Sequence, residues 1–373
     1  MRLVKIKLPF KLKKSVLALG PQGKNTVCFA KGNFAYLSPV HPDLNNPIDF
    51  LNFAKTVKYF LKKKPKIIAS DLHPEYQSSK YIHGLQVSNY KFQVIQHHHA
   101  HIASCMVENG LANQKVIGVA FDGTGLGVDN RLLGAEFLVC DYKSFTRLAH
   151  LKEIPLLGGE RAILEPWRVA AAWLYLTYKD KFLSLKINFV KNLDKQKWRI
   201  LEKIYKISLN SPLASSMGRL FDAAGALVLE KKNTVYEAEL AITLEKLALS
   251  SRPQASGYGF KITKTSDQYI IDPAPMFKQI VSDLKGKAPK REIAYRFHLT
   301  VAEMVRKTCL ALKKETGIKR IVLSGGVFQN KLLLRLILDL LCKEGFRIFI
   351  HRILSPDDSG ISLGQAVIAG YRN

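Results

Sequence analysis

Residues 116–125, VIGVAFDGTG, run from an apolar stretch straight into an aspartate and two glycines. A short apolar run closed by a turn signal reads as a strand buried on both faces. It delivers Asp122 to a place where Gly123, Thr124 and Gly125 leave backbone N–H groups open to an anion or a metal-bound phosphate; the alternative is an ordinary Asp-Gly hairpin. Residues 321–330, IVLSGGVFQN, repeat the scheme far down the chain: a strand, then Ser324, Gly325 and Gly326, then a helix from Asn330. Such a junction points glycine backbone and a helix N-terminus at an anion, unless it is a capping turn without a ligand.

Around these two stretches, short apolar runs alternate with helical segments, the mark of an α/β protein. The expected strands are 16–20, 26–32, 34–40, 66–72, 92–97, 116–123, 132–142, 321–328 and 346–352. The expected helices begin at Asn46-Pro47, near Glu75, at Ala100, at Pro166, at Asn330 and at Asp358. Two strand–glycine junctions in one chain match the nucleotide cleft of the actin/sugar kinase/Hsp70 superfamily, with phosphates between the turns and a metal on the cleft floor. We therefore expect a two-lobed α/β fold, residues 1–152 forming lobe I, 153–355 lobe II, and a C-terminal helix, 356–373, packing back on lobe I.

The chain has 373 residues, 47% hydrophobic and 23% charged, values of a globular protein with two lobes' worth of core. No apolar run reaches the ~18 residues of a membrane span. The lysine-interrupted start MRLVKIKLPFKLKK reads as a basic arm, not a signal peptide. Five scattered cysteines without a CxxC pair exclude a zinc ribbon and a disulfide framework and place the chain in the cytoplasm. The net charge of +27 is large, with lysines gathered at 55–66 and 179–206. That admits nucleic acid or an acidic partner, but no basic stretch interleaves aromatics for base stacking, and a solvated lysine face is the simpler reading.

Four histidines stand among the five residues 97–101, directly after a strand. On a helix, His97 and His101 at i and i+4 share a face and can share one ion. His98 and His99 then point elsewhere. Asp122 adds a carboxylate at a strand end. Asp358, in DDSG at 357–360, opens the last helix, with a helix cap as its other reading.

At this point the chain closely resembles the C-terminal, Kae-like half of the HypF carbamoyltransferases of [NiFe]-hydrogenase maturation. The stretches that carry the resemblance are QHHHAHIASCM, VAFDGTGLG, LSGGVFQNKLLL and SPDDSGISLGQAVIAG. KNTVCF, DLHPEYQSSKY, LGGERAILEPWR, SSMGRLFDAAGAL and YEAELAITLE agree as well, so it covers nearly the whole sequence. It implies a metal held by His97, His101, Asp122 and Asp358. Two imidazoles and two carboxylates suit Fe, Zn or Mn better than Ca. It further implies that the SGGVFQN turn with Asn330 binds nucleotide, that Asp222 and Glu237 meet the ribose, and that Lys24 and Asn25 lie near the phosphates. The reaction would pass carbamoyl from carbamoyl-adenylate, built from carbamoyl phosphate and ATP, to the C-terminal cysteine of a HypE-type protein. The family's acylphosphatase-like, zinc-finger and YrdC-like segments have no counterpart here, so a separate YrdC-like protein is expected to supply the adenylate. Where the family reads GGEL and WGGE, this chain has GPQG at 20–23 and LGAE at 133–136.

Three other readings stand beside this one. The charge favours a tRNA threonylcarbamoyladenosine transferase, whereas SGGVFQN and QHHHAH follow the hydrogenase branch. A small-molecule O-carbamoyltransferase shares the core. A non-catalytic nucleotide-binding scaffold would tolerate loss of a metal ligand, and all four are present.

Overall fold

Two sheets built on one plan organise the computed structural model, which describes residues 2–84, 90–127, 129, 131–250 and 256–372. In the first, Cys28–Leu37 pairs antiparallel with Val4–Ala18, and Ile67–Asp71 and Lys91–Ile95 follow in parallel. In the second, Phe145–Leu151, Leu132–Cys140 and Val116–Leu126 form an antiparallel meander, and Arg320–Ser324 and Arg347–Phe349 extend it in parallel. Each sheet is thus a hairpin or meander continued by parallel strands that helical crossovers reach. This is the two-lobed actin/sugar kinase/Hsp70-like arrangement.

Alternation along the strands sorts the chain into layers. Leu17 and Leu19 face the helix Pro47–Leu61, while Val16 and Ala18 face inward. On the second sheet, Ile117, Val119 and Phe121 meet the helices Trp167–Tyr178 and Met217–Leu229 and the long helix Lys290–Thr316. Val116 and Ala120 face the opposite way. Between the sheets lie two helices, His97–Glu108 and Ile361–Tyr371, whose residues are nearly all buried. They approach closely enough that a Cβ on Gly364 would stand 1.9 Å from the Ala100 carbonyl oxygen.

Three expectations need correction. The boundary at residue 152 does not follow the sheets. Val116–Leu126 ladders with Arg320–Ser324, so the meander 116–151 belongs with the second sheet and the first ends before it. Long-range pairing of this kind leaves no trace in local pattern. The basic arm is itself strand: Val4–Ala18 pairs with Cys28–Leu37, two expected strands that form one. DGTG is not a turn after a strand but a bulge within one. The ladder skips from Phe121–Ala135 to Gly125–Leu133, which frees Asp122, Gly123 and Thr124 from pairing. The helix expected over 75–85 runs Gln77–Gly84, and Leu85 lies outside the described residues.

Candidate functional site

Gln96 caps the histidine helix, its side-chain oxygen accepting the His99 N–H at 2.6 Å. That fixes His97 as the first helical residue and sets His97 and His101 one turn apart on a face turned to the bulge at Asp122. Asp358 arrives from the short 3₁₀ turn Asp358–Gly360 ahead of the last helix. One ligand atom from each of the four lies within 4.8 Å of all the others. His101 Nε2 is 3.3 Å from Asp122 Oδ2 and 3.4 Å from Asp358 Oδ1. His97 Nε2 is 3.5 and 3.6 Å from the same oxygens and has no hydrogen-bond partner. An ion with bonds of about 2.0–2.2 Å spaces its neighbouring donors by roughly 3.0–3.6 Å. The donor set and the partnerless buried nitrogen therefore fit a divalent metal.

Electrostatics agree. Burial pulls the His97 imidazole down, but the nearby carboxylates of Asp71, Asp358 and Asp122 outweigh it and hold it well above its ordinary value. His101 is raised by Asp122 and Asp358 against the same burial. Burial and mutual repulsion push the carboxylates up, yet the two imidazoles hold both below the usual range. The site is short of positive charge, which protons or a metal can supply.

Other expected residues are placed as follows. Gly123 and Gly125 make room for side chains: a Cβ on Gly123 would lie 2.6 Å from Glu237 Oε1, and one on Gly125 2.8 Å from His98. Thr124 is half-buried on the bulge. Gly325, at φ 107°, presses on Phe121, whose carbonyl oxygen would meet its Cβ at 2.2 Å, and Gly326 faces Asp122 Oδ1. Ser324 is buried, its hydroxyl 3.3 Å from His101 Nδ1. Asn330 caps the helix Lys331–Lys343, accepting from Leu333 N at 2.8 Å, and its amide reaches His298 Nε2 at 2.9 Å. Asn25 donates to the Leu19 and Pro21 carbonyls, while its Oδ1 has no hydrogen-bond partner. Lys24 is exposed, 3.5 Å from Asp357 beside the metal group. Asp357 caps its own turn, accepting from Ser359. His98 bonds Glu136 and His99 the Asp141 carbonyl, so neither joins the four.

The structure adds residues that sequence reading passed over. Asp71, at the end of its strand, accepts from His97 Nδ1 at 2.9 Å and leaves Nε2 free for a metal. Arg219 enters from the first turn of Met217–Leu229, whose cap Ser216 hydrogen-bonds the Asp122 carbonyl at 3.1 Å. Its side chain is 3% exposed; Nη2 lies 3.0 Å from Asp222, while Nε and Nη1 have no partner. Gly123 is adjacent, and Glu237 Oε1 is 3.7 Å from Nη2. Burial pushes the Asp222 carboxyl up to about 6 despite Arg219. A buried guanidinium with free N–H groups at a helix N-terminus is a receptor for an anion. Among the described residues, no helix is long and apolar enough to cross a membrane.

Comparison with known proteins follows this geometry. Residues 11–108 match the family model described as "HypF Kae1-like domain", and 118–365 that described as "Carbamoyltransferase, Kae1-like Domain, second subdomain". Carbamoyltransferase HypF2 of Cupriavidus necator is 33% identical over 96% of this chain and 47% of its own length. A Carbamoyltransferase HypF homolog of the same organism is 34% identical over 95% of this chain and 91% of its own. A crystal structure of full-length HypF in the phosphate- and nucleotide-bound form superposes with TM-score 0.91 at 39% identity, over 98% of this chain and 47% of that one. The chain thus spans about half the length of the full-length relatives it matches.

Proposed function

Since the chain belongs to the HypF carbamoyltransferase family, we propose that it moves a carbamoyl group from carbamoyl-adenylate to the C-terminal cysteine thiolate of a HypE-type protein in hydrogenase maturation. The observation that carries this is the convergence of His97, His101, Asp122 and Asp358 beside the Arg219 guanidinium, whose Nε and Nη1 have no partner. A divalent metal (Fe, Zn or Mn) bound there supplies Lewis-acid stabilisation of charge on phosphate and carbamoyl oxygens.

This chain's residues do the rest. Arg219 and the N–H groups at the start of Met217–Leu229 hold the adenylate phosphate. Asp222 and Glu237 lie beside that guanidinium, where a ribose attached to the phosphate can reach them. The acceptor thiolate forms an S–C bond to the carbamoyl carbon, the C–O bond to phosphate breaks, and AMP leaves with the electron pair. The thiolate comes from outside: Cys28, Cys105, Cys140 and Cys309 are buried, and burial pushes their thiols up. Cys342 sits near the far end of Lys331–Lys343, about 18 Å along the helix from the glycine turn. Adenylate formation belongs to a YrdC-like activity outside these residues.

The test is intact-mass analysis of a HypE-type cysteine-tailed peptide incubated with the protein, metal and carbamoyl-adenylate. One added carbamoyl, lost in His97→Ala, and AMP binding weakened in Arg219→Met, are expected. No transfer while the adenylate stays bound would overturn the acceptor. The charge of +27 favours a second reading, tRNA as acceptor; the same incubation with tRNA in place of peptide tests it.

A further inference from the structure

The two imidazoles that face the metal position are held from behind in unlike ways. His97 meets a carboxylate directly, through Asp71. His101 meets one through two intermediaries: Nδ1 is 3.3 Å from Ser324 Oγ, which is 2.8 Å from His351 Nε2. His351 Nδ1 is in turn 3.1 Å from Glu108 Oε2. All four are sealed from solvent, the side chains of His351 and Glu108 being 3% and 0% exposed.

Counting hydrogens gives this chain one direction. Glu108 accepts from the Arg352 N–H and from the Leu354 N–H at 3.2 Å as well as from His351. Burial pushes its carboxyl up, but the hydrogen bonds from His351 and these N–H groups prevail and hold it below its ordinary value. An ionised carboxylate only accepts, so His351 Nδ1 carries the hydrogen. With its one N–H spent on Glu108, the imidazole in that tautomer accepts through Nε2, and the Ser324 hydroxyl donates to it. A hydroxyl has one hydrogen to give, so Ser324 accepts from His101. His101 therefore carries its hydrogen on Nδ1 and turns a bare Nε2 to Asp122 and Asp358.

We infer that Glu108, His351 and Ser324 form a relay that locks His101 in its metal-binding tautomer, and that Glu108 and His351 are positioning residues for the site. The inference rests on the metal reading of the four-residue group. Glu108 is the last residue of its helix, where the dipole disfavours an anion. The loop 351–354 compensates with its N–H groups, and Asn109 ties that loop down through the Ile350 carbonyl. Clamping the loop needs only those backbone donors. It does not require His351 to reach Ser324, nor Ser324 to reach His101.

The test is competitive titration with Co²⁺, followed by its visible absorption, alongside thermal denaturation in chelator. Ser324→Ala and His351→Phe should each weaken Co²⁺ binding roughly 10- to 100-fold, as loss of a metal ligand's hydrogen-bond partner does elsewhere. Ser324→Thr, which keeps the hydroxyl, should restore it, and metal-free melting should move little in Ser324→Ala. Should Ser324→Ala bind Co²⁺ like wild type while His97→Ala does not, the relay is refuted and the metal centre stands. If wild type binds no Co²⁺, both readings fall.

Discussion

Gly364→Ala tests how the fold holds the site together. The added Cβ would stand 1.9 Å from the Ala100 carbonyl oxygen and 2.6 Å from its carbon, in the seam between the histidine helix and the last helix. Carbon and oxygen come into contact at about 3.3 Å, so the two helices must part by roughly 1.4 Å. Both neighbours are backbone atoms of Ala100 in the first turn of a buried helix, and no side-chain rotation relieves the clash. Destabilisation should fall in the upper part of the overpacking range, about 3 kcal/mol. The ligands suffer more. His97 and His101 ride on one helix and Asp358 stands just ahead of the other, whereas metal–ligand distances tolerate only about 0.2 Å. We expect metal affinity to drop roughly 100-fold or more, beyond the usual loss of an outer partner. Urea denaturation in chelator reads the stability, and Co²⁺ competition reads the site. Gly23→Ala, at a glycine with nothing within 4 Å of its Cβ, is the control and should leave both unchanged. Wild-type stability and affinity in Gly364→Ala would refute the close approach and the coupling drawn from it.

Two further outcomes follow from single contacts. Asp71→Asn keeps the shape of the residue behind His97 but removes its charge, and should lower metal affinity about 10- to 100-fold in a protein that still folds; an unchanged Co²⁺ titration would deny Asp71 its role. Burial lowers His298 to about 4, against 6.5 unfolded. Its folded pKa is depressed, so the unfolded chain gains the proton first, and this group's share of stability is lost as pH falls from 6.5 to 4. That amounts to about 3 kcal/mol. In urea titrations over this window, His298→Gln should show a shallower decline than wild type, and parallel curves would count against it.

The four residues of the candidate metal group were legible as candidates because each leaves a local mark: paired histidines at helical spacing, an aspartate closing an apolar strand, another before a helix. Asp71 leaves the same mark as Asp122, at the end of KIIASD, and could have been found by the same rule. Arg219 offered a fainter one, a charge inside the apolar run MGRLFDAAGAL. Asn330 reads two ways in sequence, because a helix cap and a phosphate ligand ask for the same residue type at the same spot, and the structure shows its bonds to Leu333 and His298. The lobe boundary was hidden for another reason. Val116–Leu126 is equally apolar on both faces because it has a core on each, so its pattern cannot say which sheet claims it. DGTG misled similarly: the bulge exists only in relation to Leu133 and Ala135 on the neighbouring strand.

Charge balance explains why the metal group and Arg219 occur together. Asp71, Asp122 and Asp358 bring three negative charges into a buried space against two histidines that must be neutral to ligate. A divalent cation leaves one negative charge, and an adenylate phosphate would restore two. Such an excess in a water-poor cleft is costly unless fixed donors meet it. The helix start at Met217 and the guanidinium of Arg219, with its Nε and Nη1 donors unspent, stand beside the bulge at Gly123, where we place that phosphate. Asp222 and Glu237 keep Arg219 from being neutralised completely by either one: Asp222 is 3.0 Å away yet pushed towards its protonated form, and Glu237 is 3.7 Å away and largely exposed. The arginine thus retains positive charge for an incoming anion. A metal centre without it would repel the substrate that the metal is there to activate.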